Sequence, residues 1–197
     1  MVKLNGKKIN TAVFISGRGS NLKSLINFSQ KINSPIAIKL VISNKPKAKG
    51  LIYAKRSKIK IFLTNFKNKK ISEKKILKEL DKYKINIISL AGFMKILSKN
   101  FIIKFKKPIL NIHPSLLPKY KGLNTHKRVL KNNEKYSGST VHLVTQKLDS
   151  GKIIMQKKVR IAKFENEKSL ENKILKIEHK LYPQALEKLI ANYQRKN

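Results

Sequence analysis

The chain has 197 residues, 41% of them hydrophobic and 28% charged, with no cysteine and a formal net charge of +36. That length supports one domain, residues 1–197, with a sizeable core; the apolar content excludes a disordered chain, and the missing thiols exclude disulfides and thiolate metal centres. Only five of the 46 basic residues are arginine, and the lysines run through the whole length beside abundant Ile and Asn, a pattern expected of A+T-rich codon usage, with a basic nucleic-acid-binding module as the rival reading.

The opening stretch MVKLNGKKINTAVFIS lacks a signal peptide's clean apolar core, and no later run reaches the roughly 18 residues of a membrane span, so a cytoplasmic protein without a membrane partner is expected. Residues 9–16 read as a first strand and 22–28 as a helix. Residues 36–42 form a second strand, 51–56 a helix, and 59–63 a short strand. In 72–83 the apolar residues Ile76, Leu77 and Leu80 share one helical face, with Ser72 and Lys75 making half a capping box. Two buried strands follow at 85–91 and 109–112. A helix is expected near 126–130, strands at 139–144 and 153–161 in hairpin-like succession, and a closing helix over 165–191 interrupted near Pro183. The βαβ rhythm predicts an α/β fold: a Rossmann-like open, mostly parallel twisted sheet with helices on both faces and a C-terminal helix.

Three stretches carry chemistry. "SGRGSNL", residues 16–22, stands between the first strand and the first helix, where glycines let the backbone approach a ligand and free helix N–H groups favour an anion. The third glycine of a dinucleotide fingerprint is replaced by Leu22 and no Walker lysine is present, so a monophosphate is the expected guest, beside the plain alternative of a structural turn. In "ILNIHPSLLPKYKG", Asn111 and His113 lie two apart on an extended segment and point to one face before Pro114 stops the strand. Asn donates a hydrogen bond to a developing oxyanion and His carries a proton near neutral pH, a pair that suits attack on a carbonyl. Asp149, one of two aspartates in the chain, sits in a Leu-Asp-Ser-Gly turn and would orient His113 if the fold brings them together. His142 lies on the strand before that turn.

"FISGRGSNL", "LAGFMKIL", "LNIHPSLLPKYKG", "GSTVHLVTQKLDSGKII" and "EHKLYP" follow one another along nearly the whole chain. In that order they resemble the motifs of the 10-formyltetrahydrofolate-dependent formyltransferases, and within them of the phosphoribosylglycinamide formyltransferase family. The resemblance implies transfer of the formyl group of 10-formyltetrahydrofolate to the amine of glycinamide ribonucleotide in purine biosynthesis, without a metal. It assigns Asn111 and His113 to the oxyanion and Asp149 to holding His113 and steering a proton through water. Gly19, Ser20 and Asn21 would hold the ribonucleotide phosphate, Glu178 its ribose end, and Phe93, Met94, Lys95, Ile96 and Leu97 the pterin of the folate. It implies a monomer or homodimer acting on small molecules with no specific nucleic-acid partner. Arg18, Lys95 and Lys121 depart from the family pattern; Lys95 keeps a charge but loses the forked geometry of arginine. The sister enzymes methionyl-tRNA formyltransferase and formyltetrahydrofolate hydrolase would be expected to bring further domains.

Overall fold

The computed structural model describes residues 8–194. Seven strands form one sheet in the order β3-β2-β1-β4-β5-β6-β7, with β1 Ile9–Ile15, β2 Ile36–Ser43, β3 Lys60–Leu63, β4 Ile87–Leu90, β5 Ile109–His113, β6 Tyr136–Leu143 and β7 Ile153–Arg160. The helices are α1 Ser20–Ser29, α2 Leu51–Arg56, α3 Lys69–Lys82, α4 Lys99–Phe105, α5 Thr125–Lys131 and α6 Glu167–Gln194. The chain gathers into two compact units divided within β5, one up to Leu110 and one from Asn111 onward.

In the first unit β1 pairs in parallel with β2 on one side and β4 on the other, and β2 pairs in parallel with β3. By the right-handed crossover rule for parallel strands, this order places α1 and α2 on one face and the return through α3 to β4 on the opposite face. The strands are apolar because both faces are covered: Ala12, Val13, Phe14 and Ile15 are fully buried, as are Val41 and Ile42. Helix α3 buries Ile76 and Leu80, one turn apart.

In the second unit β6 and β7 pair antiparallel, and the register slips between Val141 and His142, so that Val141 faces Met155 and His142 faces Ile153. Bulges of this kind turn the side chain beside them. Helices α5 and α6 pack through Val129, Leu170 and Ile174, with Val159 and Ile161 against them.

The expected fold class holds; the differences are shifted element ends, one added helix and an unbroken α6. Helix α3 starts at Lys69, not at residue 72, because Asn68 caps it by accepting from the Ile71 N–H at 3.0 Å; Ser72 is buried inside the helix. Helix α4 has no counterpart among the expected elements. Its seven residues are capped by Ser98 and bury only Phe101 and Phe105, a short pattern inside a lysine-rich run. Strand β6 begins three residues earlier than expected, at Tyr136. Pro183 does not interrupt α6, which runs through it to Gln194. Residues around it hold the helix in place: Leu181, Tyr182, Ala185 and Leu186 are all buried, so tertiary packing outweighs the lost N–H.

A Cβ at Gly138 would stand 2.2 Å from the Lys157 carbonyl oxygen and 2.5 Å from Leu116 Cδ2, whereas one at Gly17 would meet nothing within 4 Å. Gly138→Ala is therefore expected to cost about 3 kcal/mol by overpacking and Gly17→Ala to leave stability unchanged, as read from urea midpoints; equal midpoints for the two variants would contradict the packing at Gly138.

Candidate active site

In the first unit two loops leave the carboxyl ends of neighbouring strands β1 and β4, where the direction of the connections reverses, the usual ligand position in an open α/β sheet. The loop after β1 turns at Gly19, φ 72°, and its Cα lies so close to Gly50 that a Cβ on Gly19 would fall 2.5 Å from the Gly50 Cα. Only glycine fits either position. Helix α1 then begins at Ser20, and its N-cap residue Gly19 has no side chain to cap it; the start of a helix favours an anion. Ser20 is half-buried, Asn21 buried, and Arg18 exposed.

The loop after β4 is fastened to the first. Ser16 N–H donates to the Gly92 carbonyl at 3.1 Å, the Met94 N–H donates to Ser16 Oγ at 2.8 Å, and Ser16 Oγ donates to Asn44 Oδ1 at 2.5 Å. The five residues expected to border the folate divide into two groups. Phe93 packs edge-on against Phe14 and Phe66, with centroids 5.3 and 5.5 Å apart, and Leu97 is buried. Met94 and Ile96 stand 61% and 65% exposed with Lys95 between them, an outward apolar surface on a pinned loop.

In the second unit the end of β5 presents Asn111 and His113 on one face, and the turn after β6 brings Asp149 to both. Asp149 has φ 44°, a left-handed conformation that aspartate tolerates better than most residues. Its Oδ2 accepts from the Gly122 N–H at 2.9 Å and faces His113 Nδ1 at 3.4 Å. Its Oδ1 accepts from Asn111 Nδ2 at 3.4 Å and faces His142 Nε2 at 3.6 Å. Asn111 Nδ2 also lies 3.3 Å from His142 Nε2, while His142 Nδ1 donates to the Leu143 carbonyl at 2.9 Å. Both N–H bonds of Asn111 are thus aimed at His142 and Asp149, at long range, and one must swing to meet an oxyanion.

His113 Nε2 is 2.9 Å from the Tyr120 carbonyl. A carbonyl only accepts, so Nε2 carries a hydrogen and the proton that comes and goes is the one on Nδ1, beside Asp149. Burial lowers the His113 pKa, against the upward pull of the Tyr120 carbonyl and of Asp149. For Asp149 burial acts upward, but the His142 ring, the Gly122 N–H and His113 together hold the carboxyl below the ordinary aspartate value. The result is an ionised aspartate against an imidazole that releases its proton readily, the properties of an acid–base pair.

Glu178, on α6, is buried and accepts from Ser139 Oγ at 3.1 Å; the same hydroxyl stands 3.0 Å from the His113 carbonyl. The lysine at 121 is tied down as well, its Nζ 2.6 Å from Ser150 Oγ, next to Asp149. Sequence reasoning missed three contributors: the Tyr120 carbonyl, the Gly122 N–H and the closeness of His142 to Asn111. The first two are backbone groups that any residue supplies; the third had a signal in His142 itself, which stands on the strand just before the Asp149 turn. Among the described residues no group of three or more His, Cys, Asp or Glu side chains is arranged to hold a metal ion, and no helix is long and apolar enough to cross a membrane.

Residues 9–186 match the family described as formyl transferase. The chain is 37% identical over 178 residues to the phosphoribosylglycinamide formyltransferase of Escherichia coli, covering 89% of this chain and 84% of that protein. It is 41% identical over 189 residues to the human trifunctional purine biosynthetic protein adenosine-3, covering 94% of this chain but spanning only 19% of that protein's length. The crystal structure of a phosphoribosylglycinamide formyltransferase from Brucella melitensis superposes with a TM-score of 0.88 at 42% identity, covering 93% of this chain and 96% of that one.

Replacing Asp149 by Asn removes the carboxylate that favours protonated His113, so the His113 titration followed by NMR should move to lower pH. The depressed Asp149 carboxyl stabilises the fold fully above its unfolded value near pH ~4 and loses that contribution as pH falls through its folded value. Asp149→Asn should therefore show a flatter loss of stability below about pH 4 than the wild type; a His113 titration that stays put would remove the pairing.

Proposed function

The chain belongs to the formyl transferase family, and from that premise we propose that it transfers the formyl group of 10-formyltetrahydrofolate to the amine of glycinamide ribonucleotide, as a phosphoribosylglycinamide formyltransferase of purine biosynthesis in the cytoplasm. The observation that carries the chemistry is the Asp149 carboxylate reaching Asn111, His113 and His142 at once. The similarity to the E. coli and Brucella proteins carries the choice of substrates.

In this reading the amine adds to the formyl carbon, and negative charge grows on the formyl oxygen. Asn111, turning one N–H away from His142, and His113 with a proton on Nδ1 stabilise that charge. Asp149 holds His113 in place and takes part in moving the amine's proton, by way of water, to the departing folate nitrogen. Gly19, Ser20 and Asn21 offer the uncapped start of α1 to the ribonucleotide phosphate. Met94 and Ile96, exposed on a loop fixed at Ser16, give a flat ring system apolar contact, while Phe93 and Leu97 support the loop from inside. Glu178 is assigned to the ribose end; it reaches a hydroxyl by exchanging the Ser139 Oγ it now accepts from.

The deciding assay follows folate absorbance after mixing the protein with 10-formyltetrahydrofolate, with and without glycinamide ribonucleotide. Deformylation should require the ribonucleotide; turnover without it would mean a hydrolase, and none in either case would remove the reading. His113→Ala and Asp149→Asn should each lower kcat by ~10² or more, and substitutions at Ser20 or Asn21 should chiefly raise the KM for the ribonucleotide. A raised KM for the folate alone in the latter would reassign that loop.

A further inference from the structure

The segment 113–120 closes on itself. It begins at His113, whose carbonyl accepts from the Ser115 N–H at 2.9 Å, and ends at Tyr120, whose carbonyl holds the His113 ring. Midway, the segment is gripped by two side chains from β6 and β7. Thr140 Oγ1 donates to the Ser115 carbonyl at 2.6 Å and accepts from the Leu117 N–H at 3.2 Å and from Gln156 Nε2 at 2.8 Å. Gln156 Nε2 also donates to the Leu117 carbonyl at 3.0 Å. A hydroxyl has one hydrogen and two lone pairs, and an amide nitrogen two hydrogens. Every one of these is used, so the grip has a single arrangement.

Gln156 itself lies on the last strand of the sheet order, between exposed Lys157 and half-buried Met155, and is itself exposed although its amide bonds are partly buried. Substitutions at such surface positions usually change stability by no more than about 0.5 kcal/mol. Its amide nevertheless fixes both the carbonyl of Leu117 and the hydroxyl that fixes the Leu117 N–H, three residues before Tyr120. The Tyr120 side chain has its own anchors: its hydroxyl donates to Glu134 at 2.9 Å and accepts from Asn132 at 3.0 Å, and Arg128 lies over its ring. Those hold the ring; the aim of the carbonyl depends on the turn.

We propose that Gln156 is a positioning residue for His113, acting through Thr140 and Leu117 to aim the Tyr120 carbonyl at His113 Nε2. The proposal rests on His113 serving in the reaction above. Without the Gln156 amide, one Thr140 lone pair and the Leu117 carbonyl lose their donor, the turn loosens, and the bond to His113 weakens with angle and distance. The Tyr120 carbonyl raises the proton affinity of His113, so weakening it lowers that affinity; Asp149, His142, Arg128 and His126, which also act on the ring, are left as they were.

The test replaces Gln156 by Met, which keeps the shape and removes the donor, and pairs it with Thr140→Val and Thr140→Ser. In Gln156→Met the NMR titration of His113 should move to lower pH, and kcat should fall about fivefold, the worth of one hydrogen bond, with both KM values within about twofold of wild type. Thr140→Val should do the same and Thr140→Ser, which keeps the hydroxyl, should not. An unmoved His113 titration and unchanged kcat in Gln156→Met overturn the proposal, as does a shift seen with Thr140→Val alone. A wild-type protein that transfers no formyl group would sink the functional reading by itself, because the His113 titration decides the role of Gln156 without any turnover.

Discussion

A buried carboxylate must be surrounded by donors, and in this chain one such group organises the second unit. Asp149 is 8% exposed, and it stays ionised because the Gly122 N–H and the Asn111 amide donate to it while two imidazoles face it. Each donor comes from a different piece of chain, so satisfying one charge fixes the end of β5, the loop at 122 and the bulged end of β6 against the turn at 149. The same requirement gathers an ionised carboxylate, an amide and two imidazoles at one point.

The first unit faces a separate constraint, the close approach of two stretches of backbone without strain. The chain meets it with glycine at 19 and 50 and with the Ser16 hydroxyl, which holds the neighbouring loop by the Met94 N–H. Hydrophobic burial supplies the rigidity behind both loops: Phe14 and Phe66 back Phe93, and Leu22 and Leu25 anchor α1. The large positive charge enters none of these contacts. Of the lysines near the second unit's site, Lys119 pairs with Glu134 and Lys121 with Ser150, each in a partly exposed position where a salt-screened contact adds little to stability.

Much of this is legible in the sequence, for reasons that can be located. Strands buried on both faces read as apolar runs, so β1, β2, β4 and β5 are visible, and the two-residue period alone places Asn111 and His113 on one face. What local pattern does not carry is partnership across the chain. Nothing near Asp149 in sequence announces the Gly122 N–H, and the Thr140–Gln156 grip joins positions that look like ordinary strand residues. Pro183 misleads for the complementary reason: the local cost of proline is real, but the buried residues on either side of it decide the outcome. The stretch 93–97 reads as one unit, whereas the structure buries Leu97, packs half-buried Phe93 against Phe14 and Phe66, and leaves Met94, Lys95 and Ile96 exposed.

The contact between Gly19 and Gly50 carries a consequence for how this chain can vary. Each residue forbids a side chain on the other, so neither can change first, and a compensating exchange has no intermediate that fits. Whatever pressure filled the chain with lysine, asparagine and isoleucine stops at this pair, which makes the loop after β1 a fixed point in a composition that otherwise drifts widely.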